Sequence, residues 1–375
     1  MKIETELLHQ QHDFSQARSS VSPIFQCSAF DSGSEYFYSR KNNPNIEELE
    51  NIICRIERSK YSLAFSTGMT AIYIVLSLLK PGSHLVINKH IYGCSYKLFQ
   101  NHCERLNISL NIIDLSNESD EEFNIKNVDM VIFETPTNPF LRTIDITKTS
   151  SLIKSINPKA LIVVDNTWAT PLYQNPLKLG ADLTVYSATK YFSGHSDVMG
   201  GIVATNNFFL YERLLDERFY SGSILTPYSA WLLSRSMKTF SIRMKRHSDT
   251  TREIVTQLEK KFYVDHIYYP EINDCQLKSY GGIIFIDVPN YIGDRYSEII
   301  KELKYFGTGT GMACVTSMIA KPYTGSHASM TPEEKNSMGI TENLIRLCFG
   351  LEDPEDLISD LDNAIHNALK QNPLT

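Results

Sequence analysis

The chain has 375 residues, 42% of them hydrophobic and 21% charged, the make-up of a globular protein long enough for two or three domains. A net charge of −7 with no Lys/Arg run excludes a general nucleic-acid backbone binder, and no apolar run approaches bilayer length. The polar start, MKIETELLHQ, lacks the apolar core of a secretory leader. Seven cysteines (27, 54, 94, 103, 275, 314 and 348) contain no C-x-x-C pair, which argues against a zinc or disulfide framework and suits a reducing cytoplasm.

Residues 1–45, rich in Ser, Asn and Gln, read as an extended arm. Its end, EYFYSRKNNPNIEELE, reads as a polar loop with an Asn43-Pro44 turn before a helix starting near Ile46. Thr70 to Leu79 are apolar nearly all round, which predicts a buried helix. Gly68 and Met69 fall at its start, where free backbone N–H groups attract anions. A strand, HLVIN, leads to KHIYGCSYKLF, in which Tyr92 by itself reads as a core aromatic and Cys94 as a small buried thiol. Met130 to Phe133 reads as another buried strand, and Asn138-Pro139 beyond it as a turn. Leu161 to Val164 and Leu183 to Tyr186 are short apolar runs closed by polar residues, again buried strands.

Strands alternating with helices predict an α/β fold: a large domain with a mostly parallel sheet flanked by helices. After Gly201-Ile202-Val203 the pattern changes, and residues 221–247 resemble the long linking helix that joins large and small domains in a known enzyme family, with Arg235, Arg243 and His247 read as packing or ion-pair residues. Helix TREIVTQLEKKF, strand GGIIFIDV, helix SEIIKELKYF and the alternating NLIRLCFG then suggest a smaller α+β domain. The expected division is an arm at 1–45, a large domain at 46–235 and a small domain at 236–375.

Ligands of open α/β sheets sit beyond the carboxyl ends of the strands. Those ends here are Asp165 after one strand and Ser187, Thr189 and Lys190 after another. A carboxylate can keep a pyridine nitrogen protonated, two hydroxyls can donate to a phosphate, and a lysine amine can form a Schiff base with an aldehyde. Pyridoxal 5'-phosphate carries all three partners. A lysine after a serine and a threonine says little alone, since most lysines are solvated. The acid on the earlier strand end changes that.

The same stretch resembles the Cys/Met-metabolism (trans-sulfuration) family of fold-type-I pyridoxal phosphate enzymes. Val164 to Pro171 match its VDNT(F/W)ATP pattern, and Ser187 to Gly201 are close to its S(A/G)TKY.GGHSDV.GG pattern. The resemblance implies that Lys190 carries the cofactor and moves protons, with Asp165 on the ring nitrogen. Gly68, Met69, Ser187 and Thr189 would hold the phosphate, and Tyr92, in IYGCSYKLF, would stack on the ring and assist the leaving group. Tyr38, Arg40, Asn43 and Pro44 resemble a motif whose tyrosine and arginine reach the neighbouring subunit's phosphate, which implies a homodimer-of-dimers tetramer with shared sites. In place of that motif's threonine stands Asn45, expected to weaken a helix cap. Asn138, in ETPTNP, would lie near the phenolic oxygen and the substrate carboxylate. Arg346, in NLIRLCFGLEDPEDLISDL, would bind the α-carboxylate of an amino-acid substrate. No metal, nucleic acid or membrane enters this reading.

Departures from the pattern lie toward the substrate. Thr310 and Gly311 replace a glutamate and a serine of the family's substrate loop, Cys348-Phe349 replace a serine and a small aliphatic, and EINDCQLKSYGG is shorter than usual. The resemblance thus implies β/γ-elimination or γ-replacement on a sulfur- or oxygen-substituted amino acid, of the cystathionine γ-synthase or γ-lyase type. Cys94 is typical of methionine γ-lyases. Thr310 and Gly311 would also admit an unusual homoserine ester or a vinylglycine-type intermediate. A non-catalytic cofactor-binding sensor is the reading from a different class.

Overall fold

The computed structural model describes residues 2–9, 19–117, 127–273 and 275–371. Residues 10–18 of the expected arm and 274 of the short loop lie outside them. Two sheets organise the chain. The first contains β1 (Tyr61–Phe65), β2 (His84–Asn88), β3 (Ser109–Ile113), β4 (Met130–Glu134), β5 (Leu161–Asp165), β6 (Leu183–Ser187) and β7 (Gly201–Thr205), in the order β1-β7-β6-β5-β4-β2-β3. From β3 to β6 every pairing is parallel, and β4 is buried at all its positions, as strands covered on both faces must be. β7 returns antiparallel between β6 and β1, so the sheet is mixed at that edge.

The second sheet contains β8 (His266–Tyr268), β9 (Ile283–Asp287), β10 (Gly307–Thr308), β11 (Met318–Ala320) and β12 (Leu344–Cys348), in the order β10-β11-β12-β9-β8. Its pairings are antiparallel except β10 with β11. The predicted linking helix is two helices, Pro227–Met237 and Phe240–Leu258. Arg243, buried below the break, donates to the Ser236 carbonyl at 3.0 Å and to the Tyr191 carbonyl at 2.7 Å. His247 is fully buried, its Nδ1 2.8 Å from the Phe349 carbonyl, whereas Arg235 is exposed.

The arm is not wholly extended: Ile3–Leu8 is a helix that buries Leu7 in the main core. Nor does Asn45 cap anything. The cap of helix Pro44–Glu57 is Asn43, whose side chain accepts the Asn45 N–H at 3.0 Å. Asn45 is buried and ties the arm down, accepting the Phe25 N–H at 2.8 Å and donating to the Pro23 carbonyl at 2.7 Å. No helix among the described residues is long and apolar enough to cross a membrane.

Under the sheet, Glu57 is buried, accepting the Thr184 hydroxyl at 3.0 Å and the Tyr186 hydroxyl. Burial pushes its carboxyl up to about 8, against the pull of those hydroxyls and Lys178. Between the ordinary carboxyl value of 4.5 and about 8 the folded chain keeps a proton that the unfolded chain releases. Stability therefore falls as pH rises through that window, by an amount on the order of a few kcal/mol. Glu57→Gln is expected to flatten this decline in thermal melts across the window. An unchanged slope would show that Glu57 does not carry it.

Candidate active site

The carboxyl ends of β4, β5 and β6 come together at one edge of the first sheet. Register pairs Glu134 with Asp165, so both carboxyls leave the same face of neighbouring strands. Asp165 Oδ1 accepts both the N–H and the hydroxyl of Thr167, at 3.0 and 2.5 Å. Burial pushes the Asp165 carboxyl up while the Thr167 bonds pull it back. Glu134 takes the Tyr92 N–H on one oxygen at 2.9 Å; its other oxygen is buried without a partner. Burial and the neighbouring Asp165 hold Glu134 well above the usual carboxyl range.

These groups line a cavity of about 500 Å3. Of the residues expected from sequence, Gly68, Met69, Tyr92, Asn138, Asp165, Ser187, Thr189, Lys190 and Thr310 share its wall. Gly68 and Met69 open the helix Gly68–Leu76, whose cap Thr67 accepts the Thr70 N–H at 3.0 Å. A Cβ on Gly68 would come within 2.9 Å of Ser187 Cβ, so only glycine lets this helix end reach the serine. The Thr189 hydroxyl is fixed by the Gly200 N–H at 3.1 Å. Burial, then the Arg346 guanidinium, lower the Lys190 pKa.

Arg346 stands just behind this wall, 2% exposed on β12. It donates to the carbonyls of Thr310 at 3.2 Å and Gly311 at 3.0 Å, while its buried Nε has no partner. Gly311 therefore contributes a carbonyl rather than wall surface. Tyr38 and Arg40 are not part of this chain's cavity; Arg40 donates to the Phe219 carbonyl at 2.8 Å and lies 4.5 Å over the Phe219 ring. Sequence reasoning left out the site roles of Thr67, Glu134, Thr167, Trp168, Met199 and Ser326, all on the wall. Thr167 and Trp168 lay inside the VDNT(F/W)ATP match and Met199 at an open position of the Ser187 to Gly201 match, but nothing in residue spacing pointed to Ser326.

The donor set fits pyridoxal phosphate: an acid at the inner end, a lysine amine on the wall, and a helix end with two hydroxyl residues shaped for an anion. The Cys/Met metabolism PLP-dependent enzyme family profile matches residues 4–366. A cystathionine gamma-lyase of Bacillus subtilis (strain 168) is 35% identical over 98% of this chain and 100% of that protein. An L-methionine gamma-lyase of Fusobacterium nucleatum subsp. polymorphum is 36% identical over 92% of both. The crystal structure of a cystathionine gamma synthase from Xanthomonas oryzae pv. oryzae superposes with a TM-score of 0.93 at 30% identity, covering 99% of each chain. By sequence and by fold, the chain belongs to the Cys/Met-metabolism family of PLP-dependent enzymes.

Proposed function

We propose that this enzyme carries out elimination or replacement at Cβ or Cγ of a sulfur- or oxygen-substituted amino acid, of the cystathionine γ-synthase or γ-lyase type. The observation that carries the reading is the facing set of Lys190, Asp165 and Tyr92 on one cavity wall, with Arg346 directly behind it. Lys190 would hold pyridoxal phosphate, Asp165 its ring nitrogen, and Gly68, Met69, Ser187 and Thr189 its phosphate. When bound, that group supplies a sink for the electron pair left at Cα.

The chain's own residues supply the rest. Arg346 has a buried Nε donor to spare, and an α-carboxylate satisfies it while fixing the amino acid's orientation. Asn138, 3% exposed on the same wall, adds an amide beside that carboxylate. The lowered Lys190 pKa favours the neutral amine, the form that takes a proton from Cα and returns it at a neighbouring carbon. Burial, the Cys94 thiol and Glu134 raise the Tyr92 pKa, so its phenol stays protonated and can give a proton to a departing thiolate. Incubation with cystathionine, methionine and O-acylhomoserines, with and without cysteine, tests the reading by release of 2-oxo acid, ammonia and thiol. No product from any of them would overturn it.

A second reading, release of a small thiol from methionine, is supported by Cys94, an exposed thiol beside the Tyr92 phenol. The same panel separates the two. We read the chain as an arm, a large domain and a small domain divided near residues 45 and 235. A reducing cytoplasm suits its seven free cysteines.

We also infer a tetramer built as a dimer of dimers, in which Tyr38 and Arg40 serve the neighbour's phosphate. Their position off the chain's own wall supports it. Co-expressing an Arg40→Ala chain with a Lys190→Ala chain rebuilds one intact site per mixed dimer. Roughly a quarter of wild-type activity is expected from random pairing. No recovery would count against sharing.

A further inference from the structure

Glu134 takes no part in the steps given to Lys190, Asp165, Tyr92 and Arg346, yet it lines the cavity while only 2% exposed. It ends β4, in register with Asp165 at the end of β5. Neighbouring strands lie about 5 Å apart, so the charge of one acid bears directly on the other. Two carboxyls held that close and buried do not both ionise readily, and one of them keeps a proton.

Their hydrogen bonds differ. Asp165 Oδ1 takes two donors, the N–H and the hydroxyl of Thr167. That hydroxyl also accepts the Ser187 N–H at 2.8 Å, so its single proton is left for the acid. Glu134 takes one donor, the Tyr92 N–H at 2.9 Å on Oε1, and its buried Oε2 meets no partner among the described residues. Donors stabilise the charged form of an acid, and a buried oxygen without one costs less in a neutral carboxyl than in a carboxylate. The surroundings point the same way. On its other side β4 pairs with β2, which closes on the neutral Asn88. What acts on Glu134 is burial and the Asp165 charge, against a single N–H. The Arg346 guanidinium acts instead on Tyr92 and Lys190.

We propose that Glu134 and Asp165 carry one negative charge between them, with the pair's proton on Glu134 Oε2 and the charge on Asp165. Glu134 is then a positioning residue in two senses. As a neutral acid it leaves Asp165 the charged member of the pair at the inner end of the cavity, and its Oε1 anchors the backbone of Tyr92, from which the phenol projects. This rests on Asp165 serving the ring nitrogen of pyridoxal phosphate, and it is independent of which substrate is turned over.

Infrared spectroscopy of the holoenzyme at neutral pH reads the proton through the C=O stretch of a protonated carboxyl. Glu134→Gln is expected to remove one such band. In the wild type that band should shift on heavy-carbon labelling of glutamate carboxyls and stay in place on labelling of aspartate. A band that follows the aspartate label, or no band lost in Glu134→Gln, overturns the assignment. The second readout is the Kd for pyridoxal phosphate as the holoenzyme is reconstituted. Glu134→Gln keeps both the neutral charge and an acceptor for the Tyr92 N–H, so its Kd is expected within about threefold of wild type. Glu134→Leu leaves that N–H without its acceptor and should bind about tenfold or more weakly. Gln as damaging as Leu would show a charge at work at position 134, and Leu as tight as wild type would show that nothing is positioned there; each overturns the role. Neither readout needs turnover, so a chain that passes both yet releases no product from any thioether or homoserine ester separates failure of the functional reading from failure of this one.

Discussion

Lys190→Ala is expected to lower kcat by roughly ten-thousandfold or more, because it would remove both the proposed covalent tether and the proposed proton carrier. The substitution truncates a half-buried side chain that lowers its own pKa through burial, so the folded state loses no ion pair. Its thermal transition should therefore survive. Borohydride reduction followed by peptide mass spectrometry labels position 190 in the wild type and not in the variant. Full activity without the lysine would remove its assigned role.

Asp165→Asn is the second large effect. Asparagine has the shape of the acid and can still accept the Thr167 N–H and hydroxyl. What it lacks is the negative charge that would face the ring nitrogen. The expected result is a fall in kcat/KM of about a thousandfold, since charge aimed at the place where charge develops is among the largest contributions to catalysis. The measurement is steady-state kinetics beside the cofactor's absorption spectrum. A variant within tenfold of wild type would show that the charge at 165 is dispensable.

The parts of the fold written in local sequence were readable from it. Short apolar runs closed by polar residues gave β2, β4, β5 and β6, and their polar closures, Asp165 through Lys190, proved to line one cavity. Contacts between distant segments were not readable. The antiparallel return of β7 depends on pairing Gly201 with Ser187 on one side and with Phe65 on the other. Asn45 occupies a motif position that suggests capping, but its partners are Pro23 and Phe25 in the arm. His327 meets Ile91 across 236 residues, a separation over which periodicity carries no information. Glu134 was visible as part of ETP, yet its coupling to Asp165 arises only when β4 and β5 lie side by side.

Tyr191, the residue after Lys190, is bonded to the second sheet. The Tyr191 hydroxyl accepts the Gly282 N–H at 2.7 Å, its carbonyl takes Arg243, and Val315 donates to the Gly194 carbonyl at 2.8 Å. From the other direction, Gln276 donates to Gln174 at 3.0 Å and Lys278 N–H to the Tyr173 carbonyl at 3.0 Å. A swing of one sheet body away from the other would have to drag the lysine along and break these bonds together. Lys190 is therefore seated in a frame that ties both sheets together.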